Sequence, residues 1–240
     1  LMKKNLAFHI GKTSFYLMYD LIKNEESYDF RLKRESIILK KHAHLIMLFL
    51  YLFLGVFTSY LIWGLFLPQD VTDNIFSVQF EAKRTVDQNI NGKALSSEHF
   101  IPIMTNNIRV MFFFFLFSFV FGAGAIFLLV YNASIGGVFI SQFINMQIVN
   151  YSGFGAFILG MIRYFPHAIL EMAGFFMAAL AGGIISVALI KHHYKSKHFC
   201  NVLLDSSVVV GIAIILIVVA AFVEVFITGS LVSIFSRVLI

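Results

Sequence analysis

Charge is scarce in this sequence, and so is cysteine. Only 13% of the residues are charged while 59% are hydrophobic, a balance that no soluble domain of 240 residues could hide behind one water-facing surface. The single cysteine, Cys200, excludes an intramolecular disulfide. Together with His198 it offers at most two ligands, where a metal site normally takes three or four, so Cys200 reads as incidental. A Gly-rich phosphate loop, a nucleophile elbow and a plausible Ser-His-Asp set are all missing, which leaves catalysis without positive support. No short apolar core followed by a small-residue cleavage site opens the chain. A removable signal peptide is therefore not expected, and the first crossing serves as the targeting signal.

Apolar runs are abundant and come in blocks of about 20, the number of helical residues that crosses a bilayer core of roughly 30 Å. The fold expected is an all-α integral membrane protein, a bundle of about five transmembrane helices with one short or broken helix and interfacial helices. Its organisation is a polar, basic segment over 1–42 followed by a helical membrane domain over 43–240. The net charge of +5 points to orientation and not to nucleic acid: of 18 Lys and Arg, nine precede His42 and three more lie between Lys191 and Lys197. His42 and His44 stand at headgroup level. Phe15, Tyr16, Tyr19, Leu21 and Ile22 beside Lys12 and Lys23 fit an interfacial helix or an ordinary cytoplasmic one equally well.

The first crossing is Leu45 to Leu67, ended by Pro68. A connection over 68–108 follows, with five acidic and three basic residues. The positive-inside rule puts it outside the cell membrane and the N-terminus in the cytoplasm. Phe76, Phe80, Val86 and Ile90 recur there at helical spacing, and Asn91-Gly92 reads as a turn, so a surface helix is expected. The second crossing runs from Arg109 to Tyr131, with Gly122 and Gly124 serving packing or bending. Phe112 to Phe115 in it are lipid-facing or packing groups. The stretch 132–165 is rich in Asn, Gln and Gly. Because the span Ala168 to Ile190 leads into the basic run Lys191, His192, His193, Lys195 and Lys197, that stretch must cross an odd number of times. One short crossing over Ser134 to Val149 is expected, then an outer interfacial segment over Gly153 to Phe165, with a broken or re-entrant helix as the competitor. A last span, Ser207 to Thr228, leaves an amphipathic tail with Arg237 and an extracytoplasmic C-terminus.

Ionisable groups inside predicted spans are costly and are functional candidates by default. They are His167 and Glu171, four apart and so on one helix face, and Glu224 near the end of the last span. The fourth and fifth spans run in opposite directions, which brings Glu171 and Glu224 to similar depth. Asn106, Asn107, Arg109 and Arg163 enter from the same side. An outer polar cluster of His167, Glu171 and Glu224 with Arg109 or Arg163 as the neighbouring cation is the expectation. Gly174, Ala178, Gly182 and Ser186 continue the face of Glu171 as a small-residue row that lets another helix approach. His167-x-x-x-Glu171 is not the zinc-protease pattern, and His192, His193 and His198 read as part of a solvated basic loop. Neither a metal nor another cofactor is expected.

The segment Pro166-His167-Ala168-Ile169-Leu170-Glu171, after Arg163 and before the small-residue row, resembles the Pro-His-Gly-x-x-Glu core of the stage II sporulation protein M family. Asn106 and Asn107 before Arg109, Gly122 and Gly124, Asn132 before Gly136, and Glu224 near the end of a last span extend the resemblance over about residues 100 to 230. Ala168 stands where the family usually has glycine, and Ala133 where Asn-Gly is common. The resemblance implies a multi-spanning membrane protein without catalytic chemistry of its own. In spore formers the family member holds peptidoglycan hydrolases at the engulfing septum.

The first expectation for function is accordingly a membrane scaffold or assembly protein that recruits other membrane or envelope proteins, with homo-oligomers compatible and no nucleic acid among its partners. The alternative is a channel or ion-coupled transporter that uses the His/Glu/Arg cluster. The two differ in what the fold should contain. A scaffold expects a sealed bundle with its polar residues mutually paired; a transporter expects a cavity that reaches Glu171 or Glu224.

Overall fold

A computed structural model describes residues 43–82, 97–121, 124–191 and 197–238. Among these, five helices are long and apolar enough to cross a membrane. Helix α1 spans Ala43–Phe66 and is followed by the short α2, Gln69–Ile75. A 3-10 turn, Ser97–His99, leads into α3, Phe100–Phe121. Helix α4 is Ala125–Gln147 and α5 is Gly153–Lys191. Helix α6, Lys197–Phe222, passes through a π-helical stretch, Val223–Thr228, into α7, Gly229–Val238. The protein is an all-α membrane bundle. The expectations placed on residues 1–42, Val86, Ile90, Asn91-Gly92, Gly122, His192, His193 and Lys195 lie outside the described residues.

Helix α5 is the central member. It packs most extensively on α6 and α3, while α1 packs on α4. Phe114 of α3 stacks on Phe175 of α5 with ring centroids 5.0 Å apart, and Phe176 meets Phe49 of α1 at 5.7 Å. Outward-facing Tyr51, Trp63, Phe66, Phe127 and Ile215 supply the apolar perimeter that a lipid solvent requires. Helices α1 and α4 run parallel and nearly touch. A Cβ on Gly137 would lie 2.7 Å from the Phe57 carbonyl oxygen, and Asn145 Nδ2 donates to the Gly64 carbonyl oxygen at 3.1 Å.

Several sequence-based boundaries move. The second crossing is Phe100–Phe121, so Arg109 lies well inside it and not at its start, and Tyr131 is inside α4 and not at a membrane face. Gly124 belongs to the break between α3 and α4, where its bare Cα sits against the Phe117 carbonyl oxygen; an added Cβ would be 2.5 Å from it. The third crossing is a full 23-residue helix and not the short one expected over 134–149. The interfacial segment expected over 153–165 is the first part of α5, a continuous 39-residue helix with Pro166 inside it. At 1.5 Å per residue α5 is roughly 58 Å long, about twice the thickness of a bilayer core. One cause underlies these shifts. Polar residues were read as membrane boundaries, whereas Asn106, Arg109, Tyr131 and Asn132 line a cavity inside the bundle.

The connection after Pro68 also departs from a surface helix. Thr72, Phe76 and Gln79, at helical spacing across α2 and the helical residues 77–82, are buried. Phe76 contacts the Tyr60 ring at 5.6 Å, and Gln79 Nε2 donates to Ser134 Oγ at 3.1 Å. Because Ser134 is near the middle of α4, the chain folds back along α1 into the bundle. The re-entrant element is here, and not in 132–165.

The small-residue row touches two helices. A Cβ on Gly174 would meet Ile217 Cδ1 at 3.0 Å and the Ala213 carbonyl oxygen at 3.1 Å on α6. One on Gly182 would strike the Phe115 carbonyl oxygen and come within 3.0 Å of the Phe119 nitrogen on α3. Four-residue steps on a helix of 3.6 residues per turn drift around its axis, which carries the row from one neighbour to the other. Ala178, fully buried, and Ser186 complete it.

Gly182→Leu is therefore expected to lower stability by more than the roughly 1–3 kcal/mol typical of overpacking, because the obstacle is backbone. Phe113→Leu, at a side chain 41% exposed, is expected to cost less. Thermal unfolding in detergent gives the order, and equal midpoints for the two variants would remove the packing role of the row.

Candidate functional site

Helix α5 presents His167 and Glu171 one turn apart on one face, and both line a cavity of about 1040 Å³. Pro166 immediately precedes His167. Lacking an N–H, it leaves the Ile162 carbonyl without its usual helical partner, so the backbone beside the site is more polar than elsewhere along α5. Asn106, Asn107 and Arg109 from α3, Tyr131 and Asn132 from α4, and Glu224 from the π-helical stretch share the cavity wall. Thr105, Tyr164, Ala82 and apolar residues of α1, α3, α4 and α5 supply the rest of the lining.

The polar contacts form a chain. Asn106 Nδ2 donates to Asn107 Oδ1 at 3.5 Å, and Asn107 Nδ2 donates to Glu171 Oε1 in a short hydrogen bond. Asn107 is buried whereas Asn106 and Arg109 are exposed, so Asn107 is the residue that links α3 to the carboxylate of α5. Glu224 acts electrostatically on Glu171, and Arg163 acts on both Glu224 and His167. His167 is only 8% exposed, and its ring lies 6.3 Å from that of Tyr164. Its Nδ1 has no hydrogen-bond partner among the described residues.

Glu224 is placed by a feature that periodicity does not disclose. Across Val223–Thr228 the helix widens to π geometry, and Thr228 Oγ1, fully buried, donates to the Val223 carbonyl oxygen at 3.0 Å, five residues back. Phe226 stacks on Phe222 at 4.8 Å and meets Phe100 at 6.0 Å, while Val225 and Ala221 bury against Ile103. These contacts fix the stretch against the start of α3 and turn Glu224 towards α5. Such π insertions recur at functional positions because they redirect one side chain without ending the helix.

The residues singled out in the sequence thus occupy a single region. Six of them, His167, Glu171, Glu224, Arg109, Asn106 and Asn107, line the cavity, and Arg163 stands beside its wall. Sequence reasoning missed Tyr131 and Tyr164, which line it too, and the buried Gln79 close by. Gln79 was signalled by its place one turn beyond Phe76 at helical spacing. The tyrosines carried no signal of their own.

A family model described as stage II sporulation protein M matches residues 44–229. It takes in α1, which the shorter resemblance left out, and stops as α7 begins. Neither a curated protein nor a solved structure matches the chain.

If Asn107 is what stabilises Glu171 in this wall, Asn107→Leu removes its donor to Oε1 and is expected to destabilise by roughly 1–3 kcal/mol. Asn106→Leu, at an exposed side chain, is expected to stay within about 0.5 kcal/mol. Unfolding midpoints in detergent compare them, and a milder effect at Asn107 than at Asn106 would contradict the assignment.

Proposed function

The chain belongs to the stage II sporulation protein M family, and from that premise and the cavity we propose that it is a membrane protein of the channel or ion-coupled transporter class, taking a solute to Glu171 and Glu224. One observation carries this reading. A cavity of about 1040 Å³ reaches both carboxylates, where a sealed scaffold would hold them among paired side chains. The reading assigns binding and passage to the site, with no bond-making step. Costly polar groups kept inside a bundle characteristically mark such pathways.

Recruitment of envelope proteins is the second reading, and a different surface favours it. Helix α7 has no buried residue and exposes Ile234, Phe235 and Val238 beside Arg237, an apolar face available to a partner or to the bilayer surface. The family resemblance favours it as well.

Orientation belongs to the same proposal. The basic excess before His42 and around Lys191 to Lys197 puts these segments in the cytoplasm of a cell-membrane protein. The Pro68 end of the bundle and the C-terminus are then outside.

Two experiments separate these possibilities. In liposomes, Glu171→Gln and Glu224→Gln are expected to leave folding largely intact and to change solute or ion flux severalfold; loss of stability and partner assembly with unchanged flux would move the assignment to the scaffold. For orientation, the native Cys200, which is exposed, should react with an impermeant thiol reagent only from the cytoplasmic side. Asp73→Cys in a Cys200→Ser background should react only from outside. The reverse pattern would invert the topology.

A further inference from the structure

The cavity's occupant can be narrowed by the chemistry of its wall, an inference that rests on the reading of the cavity as a solute site. Two carboxylates, Glu171 and Glu224, line the cavity beside the ring of His167. Glu171 Oε1 is engaged by Asn107, which leaves Oε2 for an incoming group. His167 is 8% exposed and its Nδ1 is enclosed in the wall, without a hydrogen-bond partner among the described residues, so an incoming donor is left to the carboxylates. A primary ammonium offers three N–H donors from one centre, enough to serve both carboxylates at once.

Charge and size agree with that match. The lining carries two carboxylates and one guanidinium, Arg109; Arg163 acts on Glu224 and His167 from beside the lining, whereas Glu171 is held by the neutral Asn107 and is the carboxylate that a cation complements. A bare metal ion would fill a small fraction of about 1040 Å³. Most of the wall is apolar, with Phe53, Phe57, Phe113, Phe165 and Phe176 among its residues, and aromatic faces suit both an apolar body and a cation above them. We propose that the cavity binds an amphipathic primary amine, its ammonium held by Glu171 and Glu224 and its apolar body lying against the phenylalanines. The amine comes either from a free alkyl or aryl amine or from the headgroup of an ethanolamine lipid.

Full-length protein in phosphatidylglycerol nanodiscs distinguishes these sources. The soluble probes are 2-phenylethylamine, its N,N,N-trimethyl analogue and 2-phenylethanol, read by the ligand-induced shift of the unfolding midpoint. A parallel arm uses mixed phosphatidylethanolamine and phosphatidylglycerol nanodiscs with native mass spectrometry. Saturable stabilisation by phenylethylamine is expected, at least tenfold weaker with the trimethyl analogue, which has no N–H donor, and absent with the alcohol. Glu224→Gln is expected to weaken binding at least tenfold. Glu171→Gln does the same where it folds. Selective retention of phosphatidylethanolamine identifies the lipid as the source; amine binding without it identifies a free amine. Binding of neither probe, equal binding of the alcohol, or an unchanged Kd in a folded Glu224→Gln protein would overturn the proposal. Amine binding without flux would overturn the transport reading alone, and flux of another solute without amine binding would overturn this inference alone.

Discussion

The polar site of this bundle depends on how closely α5 can approach its neighbours. At Gly174 the α5 backbone comes so near α6 that a Cβ would crowd Ile217 and the Ala213 carbonyl, and at Gly182 it reaches α3 at a distance that excludes a Cβ. In lipid there is little hydrophobic driving force between helices, so such contacts and buried polar pairs carry association. With α5 held against α3, the Asn107 amide comes within reach of Glu171. With α5 held against α6, the π-helical stretch lies close enough for Glu224 to act on Glu171. The polar site is thus a consequence of the small-residue seam that continues beyond it along the same helix.

The seam does not extend to the other side of the site. Helices α1 and α4 form their own close pair through Gly137, and this pair meets α5 at Gly160, which sits against the Ile144 side chain, and through Phe57 against Phe165, with ring centroids 6.1 Å apart. Two tightly fitted pairs of surfaces joined at these contacts leave space between them, and the cavity lies there. The folded-back residues after Pro68 anchor to both members of the α1 and α4 pair, Phe76 on Tyr60 and Gln79 on Ser134. They bring polar backbone and side chains to a depth where only a cavity or protein surroundings can satisfy them.

How much of this was legible follows from the same geometry. Helix number, the polar cluster and the small-residue row were accessible, because apolar length, ionisable residues in spans and four-residue spacing are local signals. Helix boundaries were misplaced where local polarity had a tertiary cause. Arg109 and Tyr131 look like membrane edges only if every polar residue in an apolar run faces bulk water, and both line the cavity. The fold-back over Thr72, Phe76 and Gln79 was half visible, since the helical spacing of Phe76 and Phe80 was present but the destination of the buried face was not. The π stretch gave no sign, because Val223 to Thr228 is apolar apart from Glu224 and the buried Thr228, and its widening depends on Phe226 packing against Phe100 of another helix.

A site that satisfied itself would need no ligand, and the inventory here stops short of that. Asn107 meets one oxygen of Glu171, and Arg163 acts on Glu224 and His167 together, yet the enclosed Nδ1 of His167 has no hydrogen-bond partner among the described residues. Repair from within would be simple: a serine or threonine in place of Ala168 or Ala173, both in the lining, would put a hydroxyl beside the His167 and Glu171 turn. Those positions hold methyl groups. Within a bundle that holds Gly182 against the Phe115 carbonyl, the space beside Glu171 is a place where packing gives way to an opening. Two carboxylates, small side chains around them and a large aromatic-lined space beyond form one arrangement, and its natural complement is a compact cationic donor attached to an apolar body.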